Sequence, residues 1–298
     1  MKGKGFWILG GSLLLFVLSV VCLFLAIVVY FGEGDVGLEA HGDLAVVEVS
    51  GPIMSSKEIV EQLDRVEKND DIKGLILRID SPGGGVGASQ EIYQAVKRIK
   101  KDKKVVATMG GVAASGGYYI AVAADKIVAN PGTITGSIGV LMDYTNVQQL
   151  LDFIKVHAEI LTAGKMKDVG SPLKPLSEED RKFLEDILQN MHQQFKKAVA
   201  EGRGLDEAKI NELADGRIFT GQQALDLGLV DQLGNQQDAV DLAAKMLGIK
   251  GKPKLLYPKK KKVDIIDMLM EGDYDSKILQ MIYALSEKRA LYMPKRIF

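Results

Sequence analysis

Hydrophobic positions follow three different patterns along this chain of 298 residues. The first is an unbroken block, Phe6 to Phe31, which runs 26 residues without a charge. As a helix it would extend roughly 39 Å, more than the ~30 Å hydrocarbon core of a bilayer, so it can span with some tilt. Lys2 and Lys4 precede it, and Glu33 and Asp35 follow it. Positive charge favours the cytoplasmic side, which predicts residues 1–5 inside and the rest of the chain outside. A cleaved signal peptide would carry a shorter apolar region ending in small residues. Ile27-Val-Val-Tyr-Phe31 ends in none, so residues 6–31 read as an uncleaved single-pass anchor in the cell membrane. Residues 32–42, glycine-rich and acidic, read as a linker.

The second pattern fills residues 43–250 and alternates between two periods. Leu44–Val49, Gly74–Ile79 and Lys104–Met109 are short apolar runs of strand type, and Lys126–Ala129 and His157–Leu161 are read the same way. Between them, Ile59, Leu63 and Val66 repeat at helical spacing, as do Ile92, Ala95, Val96 and Ile99. Tyr118–Ala124 and Asn146–Ile154 are also read as helical. Strand and helix taken in turn predict an α/β domain with a mostly parallel, covered sheet. Ser177-Glu-Glu-Asp180 opens a longer helix to Ala200 with Phe183, Ile187, Met191 and Phe195 on one face. Two shorter helices follow, Asp206–Ala214 and Gly221–Leu227. The third pattern is the tail, residues 251–298, with 11 Lys/Arg against 6 Asp/Glu and Lys259–Lys262 in a row. It reads as a solvated basic segment.

A formal net charge of −1 gives no whole-chain case for nucleic acid as a partner. Cys22 is the only cysteine, and His41, His157 and His192 form no ligand-spaced pair, so neither a disulfide framework nor a metal site is expected.

Chemistry gathers around Met109-Gly-Gly-Val-Ala-Ala-Ser-Gly-Gly-Tyr-Tyr-Ile120. Its one serine, Ser115, falls where a buried strand should turn into a helix. Small neighbours would let a carbonyl approach, and the next amide, Gly116, would be unpaired at a helix start. A nucleophile beside an oxyanion donor is what acyl transfer requires. Asp80-Ser-Pro-Gly-Gly-Gly85 is a second glycine-rich turn able to aim a backbone N–H into a site. The serine needs a base. His157 starts an expected strand and His192 sits in an amphipathic helix, so neither is a strong candidate. Lys165 and Lys167 lie in a glycine-bearing loop after Leu161, and their spacing does not choose between them. A lysine base must be neutral, and burial lowers its ordinary pKa of about 10.4.

Five stretches together resemble the signal peptide peptidase A family in its short, single-domain bacterial form. They are Leu77-Arg-Ile-Asp-Ser-Pro-Gly-Gly-Gly85, Gly110-Gly-Val-Ala-Ala-Ser-Gly-Gly-Tyr-Tyr119, Ile134-Thr-Gly-Ser-Ile-Gly-Val140, Lys167-Asp168 with Gly170-Ser-Pro172, and Asp215-Gly-Arg-Ile-Phe-Thr-Gly221. The resemblance implies the Clp protease/crotonase fold and a Ser–Lys dyad serine peptidase. Ser115 would be the nucleophile, Lys167 the general base, and Ser137 the residue orienting that lysine. Gly116 and Gly84 would be the oxyanion donors, with Gly83 as an alternative to Gly84. No cofactor is implied. The substrates would be peptides released in the membrane, above all leftover signal peptides. The working form would be a homo-oligomer in which neighbouring chains supply the serine and the lysine of one site. A stomatin-associated membrane Ser–Lys protease, a crotonase-like acyl-CoA enzyme and a silent scaffold are the rival readings.

Overall fold

Among the described residues eight strands form one sheet whose order is β6-β5-β3-β2-β1-β8, with β4 pairing β3 and β7. They are β1 (Leu44–Ser50), β2 (Gly74–Ser81), β3 (Lys104–Ala114), β4 (Lys126–Ala129), β5 (Ile134–Gly136), β6 (Ile218–Thr220), β7 (Gln232–Leu233) and β8 (Leu255–Leu256). Every pairing is parallel except β5 with β6, which is antiparallel. The structure, a computed structural model, describes residues 42–258, with Ser19 before them. Apart from Ser19, the predicted anchor over 6–31 falls outside the described residues, as do nearly all of the linker, Cys22, His41 and the tail beyond 258. No helix among the described residues is long and apolar enough to cross a membrane.

Parallel strands need both faces covered, and the central runs show it. Leu75, Ile76 and Leu77 of β2 and Val105, Val106 and Ala107 of β3 are all fully buried. On one face Leu44, Val46, Ile76, Val106 and Val128 pack with Ala239, Val240 and Ala243. The helices are α1 (Lys57–Lys68), α2 (Val86–Ile99), α3 (Gly116–Ala121), α4 (Gln148–Phe153), α5 (Glu178–Arg203), α6 (Glu207–Leu213), α7 (Gly221–Asp226) and α8 (Gln236–Leu247). Helix α2 buries the predicted Ile92, Ala95, Val96 and Ile99. Helix α5 starts as its sequence predicts, with the Ser177 side chain accepting from the Asp180 N–H, and ends at Gly204 with φ of 64°.

The expected strand over His157–Leu161 does not form; that segment is irregular and exposed. A strand needs a neighbour to take its backbone bonds, and none among the described residues pairs with it. Around it, Leu141, Phe153 and Leu161 are 79%, 84% and 94% exposed, and α4 buries none of its residues. The short strands β5 to β8 and helix α8 were not evident in the sequence. Strand β8 lies within the stretch read as tail, and pairs Leu255 with Leu44.

The end of α5 is fastened to the sheet by one carboxylate. Asp231 accepts from Arg203 Nη1 at 2.8 Å, from Lys126 Nζ at 3.0 Å and from the Ile127 N–H at 2.8 Å. Half-burial pushes the Asp231 pKa upward, but the bonds from Arg203 and Lys126 outweigh it and the net shift is downward. A depressed carboxylate stabilises the fold above its unfolded pKa and stops doing so as pH falls through the folded value. Asp231→Asn is therefore expected to cost about 2 kcal/mol near pH 7. Denaturant unfolding across a pH series should show that difference shrinking below about pH 4.

Candidate active site

Strand β3 ends one residue before Ser115, and α3 begins one residue after it. The reversal is made by Ser115 itself, at φ 52° and ψ −119°, a region L-residues rarely enter. Two bonds hold it there. The Ser115 N–H donates to the Gly136 carbonyl at 2.9 Å, and the Ser115 carbonyl accepts from the Tyr119 N–H at 2.9 Å. The elbow leaves the side chain half-exposed, directly after the buried Ala113 and Ala114 that end the strand. Below it the Tyr118 hydroxyl donates to the Leu229 carbonyl at 2.8 Å, and burial pushes its pKa up.

The Gly83–Gly85 segment lies against this elbow. A Cβ placed on Gly83 would meet Gly116 N at 2.7 Å and Ser115 Cβ at 2.8 Å. A Cβ placed on Gly116 would lie 3.3 Å from Gly84 N and 2.3 Å from Ser89 Oγ. Only glycines allow the two backbones this close. Ile53 fixes one edge of the segment: its N–H donates to the Gly83 carbonyl at 2.9 Å, and its carbonyl accepts from the Gly85 N–H at 2.8 Å. The Gly83 N–H donates to Ser81 Oγ at 3.1 Å. That leaves the Gly84 and Gly116 N–H groups without an acceptor among the described residues. Two unpaired donors converging beside a serine hydroxyl can stabilise an oxyanion.

Ser137 follows Gly136, the acceptor of the Ser115 N–H, and also has a positive φ, 50°. Its N–H donates to the Arg217 carbonyl at 2.8 Å. Gly136 is required because a Cβ there would strike the Phe219 ring at 2.5 Å. The Asp215–Gly221 stretch thus props the strand that carries Ser137. His192 sits on α5 with Nε2 3.2 Å from the Ile138 carbonyl, and His157 is exposed in the irregular segment.

The lysine loop is held by polar tethers. Val147 N–H donates to the Pro172 carbonyl at 2.8 Å, and the Tyr144 hydroxyl donates to the Ser171 carbonyl at 3.0 Å and also to that of Lys174. Lys174 Nζ pairs with Asp168 at 2.8 Å and with Asp180 at 3.4 Å. The bond to Asp168 raises the Lys174 pKa. Lys165 is paired with Glu179 at 2.5 Å. Lys167 is exposed and has no ion pair among the described residues. It is not hydrogen-bonded to the Ser115 hydroxyl within the chain. The structure therefore brings Ser115, Gly83, Gly84, Gly116 and Ser137 together, and leaves Lys167 unjoined to them by any hydrogen bond.

A cavity of about 500 Å³ opens between α2 and α5, lined by Val86, Gln90, Phe183, Ile187, Met191 and others. Val86 lies two residues beyond Gly84, and Met191 precedes His192, which touches Ile138. Of the apolar stripe of α5, Phe195 is buried in the core, while Phe183, Ile187 and Met191 line this cavity. Ser81, Ser89, Thr133 and Thr135, which support the elbow, were missed in the sequence. For Thr133 and Thr135 their alternation about Ile134 before Gly136 was the available signal; Ser81 and Ser89 carried none.

The profile of Peptidase family S49 matches residues 97–250, and that of Clp protease matches residues 45–133. A Synechocystis protein provisionally named a protease is 45% identical over 208 residues, which cover 69% of this chain and 75% of that protein. An Enterococcus faecium protein provisionally named signal peptide peptidase SppA is 40% identical over 186 residues, 62% of this chain and 54% of that protein. A Methanocaldococcus jannaschii protein provisionally named a protease is 39% identical over 181 residues, 61% of this chain and 58% of that protein. The match thus spans little more than half the length of the latter two.

Proposed function

The chain belongs to Peptidase family S49, a family of serine proteases, and from that premise we propose that it is a membrane-anchored endopeptidase that degrades signal peptides and other apolar peptides. The observation that carries this reading is the Ser115 elbow with the unpaired Gly84 and Gly116 N–H groups beside it. In the proposed reaction Ser115 Oγ attacks the peptide carbonyl and its proton passes to a neutral Lys167 Nζ. The Gly84 and Gly116 amides hold the oxyanion of the tetrahedral intermediate. Collapse breaks the C–N bond, and Lys167 returns the proton to the leaving amine. Water then attacks the acyl ester while Lys167 takes its proton; the C–Oγ bond breaks, Lys167 returns that proton to Ser115 Oγ, and the carboxylate product leaves.

The cavity at Val86, two residues along the chain from Gly84, supports an apolar substrate, since Val86, Phe183, Ile187 and Met191 line it together with polar residues such as Gln90 and Asn190. The uncharged block over residues 6–31 supports an anchor and a site outside the cytoplasm. The missing Ser115–Lys167 bond, together with the uncovered apolar residues around Phe153 and Leu161, supports a homo-oligomer whose neighbouring chains complete one another's dyad. The test uses the full chain in detergent with a synthetic signal peptide and mass spectrometry of the products. Internal cuts are expected, and none with Ser115→Ala. Wild-type protein that labels at Ser115 with a fluorophosphonate yet cuts no apolar peptide would overturn the substrate assignment.

A further inference from the structure

The pairing of β2 with β3 is regular from Gly74↔Lys104 to Ile79↔Met109, and resumes at Ser81↔Ala113. Over that interval β2 advances two residues and β3 advances four, so β3 bulges across Gly110–Val112. There β3 also changes neighbour: its last pair with β4 is Met109↔Ala129, and its first with β5 is Val112↔Ile134. The bulge therefore sets where the last three residues before Ser115 point.

Side chains take the place of the interrupted ladder. Asn130 Nδ2 donates to the Met109 carbonyl at 3.0 Å, Thr133 Oγ1 to the Gly110 carbonyl at 2.6 Å and Thr135 Oγ1 to the Ala113 carbonyl at 2.7 Å. The N–H of Val112 is taken by Asp80 Oδ1 at 3.1 Å. The same carboxylate fills the space in front of Gly110, where a Cβ would lie 2.5 Å from Oδ2. Asp80 is joined backward too, since its carbonyl accepts from the Gly51 N–H at 2.9 Å. Its neighbour Ser81 donates to the Gly51 carbonyl at 2.6 Å and accepts from the Gly83 N–H. One side chain thus links the end of β2, which leads to Gly84, with the end of β3, which leads to Ser115.

We propose that Asp80 is a positioning residue: its carboxylate locks the β3 bulge and so sets the Ser115 hydroxyl and Gly116 N–H against the Gly84 N–H. This rests on the serine-peptidase reading. Among the described residues the Asp80 carboxylate hydrogen-bonds to a backbone N–H and to no side chain, so it acts through geometry. Misplacing a nucleophile relative to its oxyanion donors weakens binding of the transition state more than binding of the substrate. An asparagine keeps the oxygen that accepts from Val112, whereas an alanine removes it.

The experiment measures kcat and KM on a fluorogenic apolar peptide, and the rate of fluorophosphonate labelling, for full-length variants. Asp80→Ala is expected to lower kcat and labelling by about 100-fold with KM within about twofold. Asp80→Asn should stay within about tenfold of wild type, because it restores the acceptor. Gly110→Ala should reproduce the loss by pushing on the Asp80 side chain, whose Oδ2 and Cγ would lie 2.5 and 2.6 Å from the new methyl. Equal labelling of wild type and Asp80→Ala would overturn the proposal while leaving the peptidase reading intact. So would equal losses in Asp80→Ala and Asp80→Asn. A wild-type chain that neither labels nor hydrolyses would fail the peptidase reading, and the role of Asp80 with it.

Discussion

Ser115→Ala is expected to lower peptide hydrolysis by on the order of 10⁴-fold or more and to abolish labelling by a fluorophosphonate. The change removes one oxygen, which forms no hydrogen bond among the described residues. The backbone bonds to Gly136 and Tyr119 do not depend on the side chain. Melting should therefore stay near that of wild type while activity falls, which separates loss of chemistry from loss of fold. The oxyanion donors remain, so a small residual rate over water is compatible with the reading. Retention of a tenth or more of wild-type activity would exclude Ser115 as the nucleophile.

Lys167→Ala should be nearly as damaging, and Lys165→Ala should not. The structure distinguishes the two lysines by what they touch. Lys165 is held in an exposed pair with Glu179, and exposed pairs contribute little to stability, ~0–1 kcal/mol. Lys167 is uncommitted among the described residues and sits beside Asp168, which Lys174 occupies. Since Lys167 is not bonded to Ser115 within the chain, mixing Ser115→Ala with Lys167→Ala gives the decisive test. If neighbouring chains share a site, subunit exchange recreates some interfaces with both groups intact, and activity returns. Mixed oligomers that stay inactive would mean each chain builds its own dyad by moving the Lys167 loop.

How much of this was legible in the sequence depended on how far each contact lies along the chain. Buried runs such as Leu75-Ile-Leu77 and the spaced face Ile92, Ala95, Val96, Ile99 gave the central strands and α2, because their signals are local. Three-residue strands such as Ile134–Gly136 and Ile218–Thr220 carry too few residues for a period to show. They exist because Phe219 packs over Gly136, a contact between residues more than eighty positions apart. His157–Leu161 failed for the opposite reason: an apolar run was present and no partner strand was. At the site, the glycines around Ser115 and Gly83–Gly85 were readable as turns. The preference for Gly84 over Gly83 rests, in the sequence, on the family resemblance alone; the physical reason, a Gly83 N–H already taken by the Ser81 hydroxyl, needed the structure, and the role of Asp80 needed the register of β2 against β3.

The backbone at Ser115 carries a consequence for the history of such chains. A φ of 52° with ψ of −119° suits glycine, while an L-residue held there is strained by about 1–3 kcal/mol. Mutation from serine to glycine at this position is therefore downhill in stability and fatal to the proposed chemistry at the same time. Thermodynamic drift alone would erase the nucleophile, so a lineage that keeps Ser115 is under continuing purifying pressure from its substrate. A lineage that has lost that pressure should be recognised by glycine there, on an otherwise sound and slightly sturdier scaffold. The same asymmetry makes glycine, more than alanine, the residue to choose when an inert chain is wanted to hold a peptide uncut.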